Sequence, residues 1–281
     1  MTPREIGAGP VAERLRKREE QHKYHHGHAL VVSGPPGHGG AARLAARGAL
    51  RVGAGLVTLG CPRAAVAEHA ARLDAIMVRA LDAAEDLDRL LEDRRFSALC
   101  LGPGLGFEPV RAELVAAALA SGRPLVLDAD ALTLVSRDGL LFDRLHPACV
   151  LTPHAGEFAR LFPDLAAAEE LTARVDACHA AAGRAGCTVL LKGAETVIAS
   201  PGEVAVNRAT GARAAPWLAT AGAGDVLAGL IAGLLARGLT PFEAAETGAW
   251  LHVEAARAFG PGLIAEDLPE ALPGVFRALG L

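Results

Sequence analysis

The sequence predicts an α/β fold, with a mostly parallel sheet packed by helices on both faces. Three observations predict it. Short, wholly apolar runs recur along the chain, and strands without polar alternation are strands buried on both faces. Ala-rich stretches of helical length separate these runs, as crossover connections between parallel strands require. Glycine or polar clusters follow five of the runs, where an open parallel sheet presents its ligand-binding edge.

Taken in order, residues 1–24 are charged and read as a surface helix or a loose arm ahead of one domain over residues 25–281. Leu30, Val31 and Val32 make the first strand, ending in Gly34-Pro35-Pro36-Gly37. Residues 43–52 read as a helix and 56–59 as a strand. Residues 98–101 are a strand running into Gly102-Pro103-Gly104-Leu105-Gly106, and 110–120 are a helix. Residues 124–127 are a strand ending at Asp128-Ala129-Asp130, where either acid suits the cap of a following helix. Residues 149–151 are a strand ending at Thr152-Pro153-His154, and 171–182 a helix. Residues 188–191 form a strand closed by Lys192-Gly193. Residues 196–199 and 204–206 then read as an antiparallel pair around Pro201-Gly202. Helices dominate from Asp225 onward, and neither linker nor repeat divides the chain.

Composition narrows the function. A net charge of −4 lacks the basic excess of a nucleic-acid binder. The five cysteines are odd in number and contain no CxxC pair, so neither a zinc site nor a disulfide framework is indicated. Buried thiols in a reducing cytoplasm are the simplest reading. No apolar run has the length of a membrane span, and the N-terminus has no signal core. The Gly34–Gly40 stretch lacks the Gly-Lys-Ser/Thr ending of a P-loop and the spacing of a GxGxxG turn. No Gly-x-Ser-x-Gly elbow or His-Glu-x-x-His helix appears either.

The segment Ala221-Gly222-Ala223-Gly224-Asp225 carries the chemistry. Small residues bare the backbone N–H groups where a helix begins, and the helix dipole favours an anion there. A carboxylate at such a place repels the anion unless it takes a proton from a group attacking it. The segment therefore reads as a phosphoryl-transfer centre with Asp225 as general base. A plain helix cap at Asp225 accounts for the same residues and stays open at this point. Lysine occurs only at positions 17, 23 and 192, which sets Lys192 apart as a phosphate ligand, although a solvated strand end is its alternative. Gly229 and Gly233, four apart, read as helix-packing contacts.

The ordered motifs extend further. His22-Lys23-Tyr24, Arg51-Val52-Gly53-Ala54-Gly55-Leu56-Val57, Gly102-Pro103-Gly104-Leu105-Gly106, Leu127-Asp128-Ala129-Asp130, Leu151-Thr152-Pro153-His154-Ala155-Gly156-Glu157, Leu191-Lys192-Gly193-Ala194-Glu195-Thr196 and Thr220-Ala221-Gly222-Ala223-Gly224-Asp225 follow one another. Together they closely resemble the ADP-dependent NAD(P)H-hydrate dehydratase family of the ribokinase-like superfamily, over residues 22–280. The resemblance implies a three-layer α/β/α sandwich. It implies phosphorylation by ADP of the hydroxyl on hydrated NADH or NADPH, then loss of phosphate, with AMP as the other product. It assigns Asp225 as the base, with Gly222, Ala223 and Gly224 as an anion hole. Lys192, Gly193, Ala194, Glu195, Thr196 and Gly224 would bind the nucleotide. Ala54, Gly104, Gly106, His154 and Asp225 would bind the hydrated dinucleotide. Glu157 would organise Mg²⁺ through water, or else simply begin a helix; His154 has a structural turn as its alternative. Ala223 stands where many members carry Thr or Ser, and Ala155 where proline is common. The resemblance further implies a cytoplasmic homotetramer, with any NAD(P)H-hydrate epimerase supplied separately, since residues 1–24 are too few to hold one. A ribokinase-like kinase of a vitamin precursor or sugar is the alternative.

Overall fold

The computed structural model describes residues 2–165 and 170–281. The first strand, β1 (Arg4–Glu5), and helix α1 (Ala8–Leu15) lie within the charged segment. Ile6, Val11 and Leu15 from this segment are buried in the core, and Arg14 Nη1 lies 3.1 Å from Oε2 of the buried Glu246. The segment is thus folded against the sheet, because it has three apolar anchors among its charges.

The chain then runs through β2 (His28–Val32), α2 (Gly40–Arg51), β3 (Leu56–Cys61), α3 (Val66–Ala70), β4 (Met77–Ala80), α4 (Ala84–Leu91) and β5 (Phe96–Leu101). Next come α5 (Pro109–Ala120), β6 (Leu125–Leu127), α6 (Ala129–Arg137), α7 (Gly139–Phe142), β7 (Cys149–Leu151) and α8 (Ala155–Leu161). After α9 (Leu171–Ala185) follow β8 (Thr188–Leu191), β9 (Glu195–Ala199) and β10 (Val204–Arg208). Helices α10 (Ala223–Ala236), α11 (Pro241–Phe259) and α12 (Asp267–Ala278) close the chain. The main elements fall where the apolar runs predict them. The edge strands β1 and β4 were not foreseen, since neither is a continuous apolar run.

One sheet has the order β1-β10-β9-β8-β7-β6-β5-β2-β3-β4. β9 pairs antiparallel with both β8 and β10, and the remaining pairs are parallel. The strands alternate perfectly between two cores. Ala29, Val31, Ala98 and Cys100 face the α1, α2, α10, α11 and α12 layer. Leu30, Val32, Leu99 and Leu101 face the α4, α5, α6, α8 and α9 layer. Both sets are apolar, which is why these strands read as unbroken hydrophobic runs. Among the described residues no helix is long and apolar enough to cross a membrane.

Two features of this frame position the site. Strand order reverses between β2 and β5, and such a switch point opens a crevice beyond the carboxyl ends of the strands. Helix α10 packs unusually close to α2: a Cβ at Gly229 would stand 2.0 Å from Ala45 O, and one at Gly233 would stand 2.5 Å from Ala49 O. The two glycines are helix-packing contacts, as expected, and they draw the start of α10 to the crevice.

Candidate active site

The loops after β2 and β5 meet across the switch point. A Cβ at Gly34 would stand 2.0 Å from Gly104 O, so only glycine allows this approach. Gly104 (φ 62°) and Gly106 (φ 89°) hold left-handed conformations that favour glycine, and Asp130 Oδ2 accepts the Gly106 N–H at 2.9 Å. Asp130 therefore braces this loop.

Asp128 occupies the cap position of α6 but makes no capping bond. Its Oδ1 accepts from Thr152 Oγ1 at 2.8 Å and from Lys192 Nζ at 2.8 Å. The capping role considered for it is not what the fold uses, because the ammonium of Lys192 is the stronger partner. Lys192 Nζ is also 3.8 Å from Glu157 Oε2. Burial opposes its charge, but Asp128, Glu157 and Asp225 outweigh burial and raise its pKa.

Asp225 stands in the first turn of α10, behind Gly222 in the left-handed conformation (φ 87°). It accepts no capping hydrogen bond, so the helix-cap alternative is not realised. Burial first, then the charges of Asp128, Asp130 and Glu157, against the opposing pull of Lys192, push its pKa up to about 7. A base is most effective when its pKa lies near the working pH.

His154 caps its own helix. Its Nδ1 accepts the N–H groups of Gly156 and Glu157 at 3.0 and 3.4 Å, while Glu157 Oε2 accepts the His154 N–H at 2.8 Å. The ring remains half exposed beside the site. The Lys192–Thr196 turn joins β8 to β9. Thr196 Oγ1 donates to Gly193 O at 2.9 Å, Ala209 N donates to Ala194 O at 2.7 Å, and Glu195 pairs with Arg208 at 3.4 Å. A Cβ on Gly224 would lie 3.4 Å from Lys192 Nζ, so the turn and the α10 cradle share one space.

Ala54 does not join this cluster. It precedes β3 rather than following a strand, and its N–H reaches back to Ala49 O at 3.2 Å. It is buried at the amino end of β3, the end away from the crevice. The small residue against the Gly104 loop is Ala41, whose Cβ would lie 3.4 Å from a Cβ on Gly104. The signal was present in the sequence, since Ala41 follows the first strand and Ala54 does not.

A family model described as NAD(P)H-hydrate dehydratase matches residues 29–271. The chain belongs to the NAD(P)H-hydrate dehydratase family. It is 42% identical, over 94% of its length and 52% of the relative's, to a bifunctional NAD(P)H-hydrate repair enzyme Nnr of Moorella thermoacetica. A protein of the same name from Gloeobacter violaceus is 42% identical over 83% of this chain and 45% of that one. The chain spans about half the length of the curated relatives it matches. The ADP/ATP-dependent NAD(P)H-hydrate dehydratase of Bacillus subtilis, co-crystallised with ATP and Mg²⁺, superposes with a TM-score of 0.82. It is 26% identical and covers 99% of each chain. A ribokinase-like protein of Enterococcus faecalis shares the fold at a TM-score of 0.82 and 24% identity, over 98% of this chain and 96% of that one. The fold is therefore the expected ribokinase-like one.

Two residues of this NAD(P)H-hydrate dehydratase-family site escaped the sequence. His252 on α11 lies 2.8 Å from Ala223 O, and burial lowers its pKa to about 4, so the neutral ring donates through Nε2 and pins the cradle. Arg174 on α9 donates to the carbonyls of Lys192 and Glu195 at 3.3 and 3.4 Å and holds the turn from outside. His252 comes from a helix distant in sequence and Arg174 from the helix just before β8, and neither sits in a motif.

Proposed function

We propose that this chain carries out ADP-dependent dehydration of hydrated NADH and NADPH. The observation that carries the reading is Asp225, a half-buried carboxylate whose pKa is pushed up to about 7, in the first turn of α10 and beside Lys192. Asp225 takes the proton of the ring hydroxyl as that oxygen attacks the β-phosphorus of ADP. The N–H groups of Gly222, Ala223 and Gly224 and the ammonium of Lys192 hold the charge that builds on the transferring group. AMP leaves. The ring carbon next to the phosphate ester then loses a proton, the C–O bond breaks, and phosphate departs where hydroxide would not.

The turn Lys192–Thr196 and Gly224 bind the adenine nucleotide in this reading. Gly104, Gly106 and the exposed face of His154 receive the dinucleotide, and Ala41 takes the place first given to Ala54. Among the described residues no three His, Cys, Asp or Glu side chains converge into a cation cage. The hard oxygens of Glu157 and Asp225 still suit Mg²⁺ that arrives on the nucleotide and keeps most of its waters. When bound, the ion would offset phosphate charge. The relatives' name, bifunctional repair enzyme, supports pairing this domain with an epimerase, and the reading places the work in the cytoplasm.

The test is to incubate the protein with hydrated NADPH and ADP and follow the absorbance of the reduced ring. Recovery with equal AMP and phosphate is expected. Net phosphorylation of an added vitamin precursor or sugar, without ring recovery, would mean a plain kinase instead.

A further inference from the structure

The edge of the sheet opposite Asp225 carries a second candidate site. A cavity of about 1090 Å³ opens there between the end of α1, the end of α2, residues 72–76 and α12. Helix α10 separates it from the cradle by its 14 residues, on the order of 20 Å at ~1.5 Å per residue. Although the chain carries a net charge of −4, six cationic side chains line this cavity against two acidic ones.

The acids do not balance the cations. Glu270 is taken up by Arg47, at 2.6 Å, and by Arg51. Lys17 and Arg237 instead converge on the main chain before β3. Lys17 Nζ donates to Gly53 O at 2.9 Å, and Arg237 donates through Nη1 to Val52 O at 3.0 Å and through Nη2 to Leu15 O and Arg14 O at 2.8 and 3.4 Å, so that both groups of cationic N–H bonds end on neutral carbonyls. Their nitrogens lie 3.4 and 3.3 Å from the point where a Cβ on Gly53 would sit. Among the described residues no carboxylate pairs with Lys17, Arg237, Arg16 or Arg72, all of which line the cavity. Burial and then the charge of Arg237 lower the Lys17 pKa, the mark of a cation without its counterion. Leu50 and Phe276 give the same cavity an apolar wall.

We propose that this cavity binds a small organic phosphate with an aromatic or aliphatic body, independently of the Asp225 site. Its phosphate lies between Lys17, Arg237 and Arg72, and its body lies against Leu50 and Phe276. At about 1090 Å³ the volume is at the upper end of what small-molecule sites have, ~300–1000 Å³, and a concave basic surface focuses an anion.

The probe is 1-naphthyl phosphate, titrated by calorimetry into the nucleotide-free protein, because ADP is itself an aromatic organic phosphate and would compete for this cavity; the variants below separate binding here from binding at the Asp225 site. Saturable binding that weakens with added salt is expected. The Lys17→Gln/Arg72→Gln double variant, at two exposed positions, should bind about five- to tenfold more weakly, as two partly screened charges allow. Asp74→Asn removes the remaining acid of the lining and should bind about twofold more tightly. No saturable heat, or the same affinity in all three proteins, overturns the proposal. It also falls if the double variant binds nothing differently but changes its sedimentation coefficient, which would make this face an interface between protein chains. None of these readouts depends on dehydratase turnover, so the proposal stands or fails apart from that reading.

Discussion

The ammonium of Lys192 lies 2.8 Å from Oδ1 of Asp128, so the cation of the site is matched to a carboxylate other than Asp225. Asp225 therefore meets an excess of negative charge, from Asp128, Asp130 and Glu157 against Lys192 alone. Its proton affinity follows from that imbalance and from burial.

This sets the pH dependence. Asp225 has a raised pKa of about 7, so below that pH the base carries its proton and is inactive. The profile of kcat/KM should fall on its acid side with a midpoint near 7. A midpoint near the ordinary carboxylate range would remove Asp225 as the base.

Replacing Lys192 with Met takes away the cation that lowers the Asp225 pKa. The acid limb should move to higher pH, and the Michaelis constant for ADP should rise. Stability should drop by about 3 kcal/mol in urea unfolding, because Asp128 is left buried without its partner.

Asp225→Asn should cut turnover about 10²–10⁴-fold. The same change should stabilise the fold. The folded pKa is raised from 3.8 to about 7, so the native state loses stability as pH climbs through that window. Asn carries no charge to bury. At pH 8 the variant should gain on the order of 4 kcal/mol, and near pH 3 the difference should vanish. Thermal melts at the two pH values provide the check.

His252→Phe removes the donor to Ala223 O and should cost about 1–3 kcal/mol of stability, with a slower turnover and little change in substrate affinity. His252→Gln keeps a donor and should recover part of the rate. Equal rates for the wild type and the Phe variant would mean that the contact does not position the cradle.

Gly34→Ala should disturb the meeting of the two loops, since its Cβ would reach 2.0 Å from Gly104 O. A loss of about 1–3 kcal/mol and a higher Michaelis constant for the dinucleotide are expected. Gly40→Ala, with nothing within 4 Å of its Cβ, is the control and should be close to neutral.

The sequence alone was enough for the layered fold and the parallel strands, and it singled out Gly222–Asp225 as a bare helix start with an acid beside it. Those depend on local patterns: apolar runs buried on both faces, and bare N–H groups at a helix start. Lys192 was legible because lysine is scarce here. Tertiary structure decided which side chains meet. It gave Asp128 to Lys192 rather than to a helix cap, brought His252 from a remote helix, turned Arg174 back from α9 onto the Lys192–Glu195 turn, and set Ala41 rather than Ala54 beside Gly104. It also placed Lys17 and Arg237, neither of them paired with a carboxylate among the described residues, together from positions 220 residues apart in the numbering. The reason is physical. Strand and helix preferences are set by neighbours along the chain, whereas the pairing of charges and the close approach of loops are set by the order of strands in the sheet.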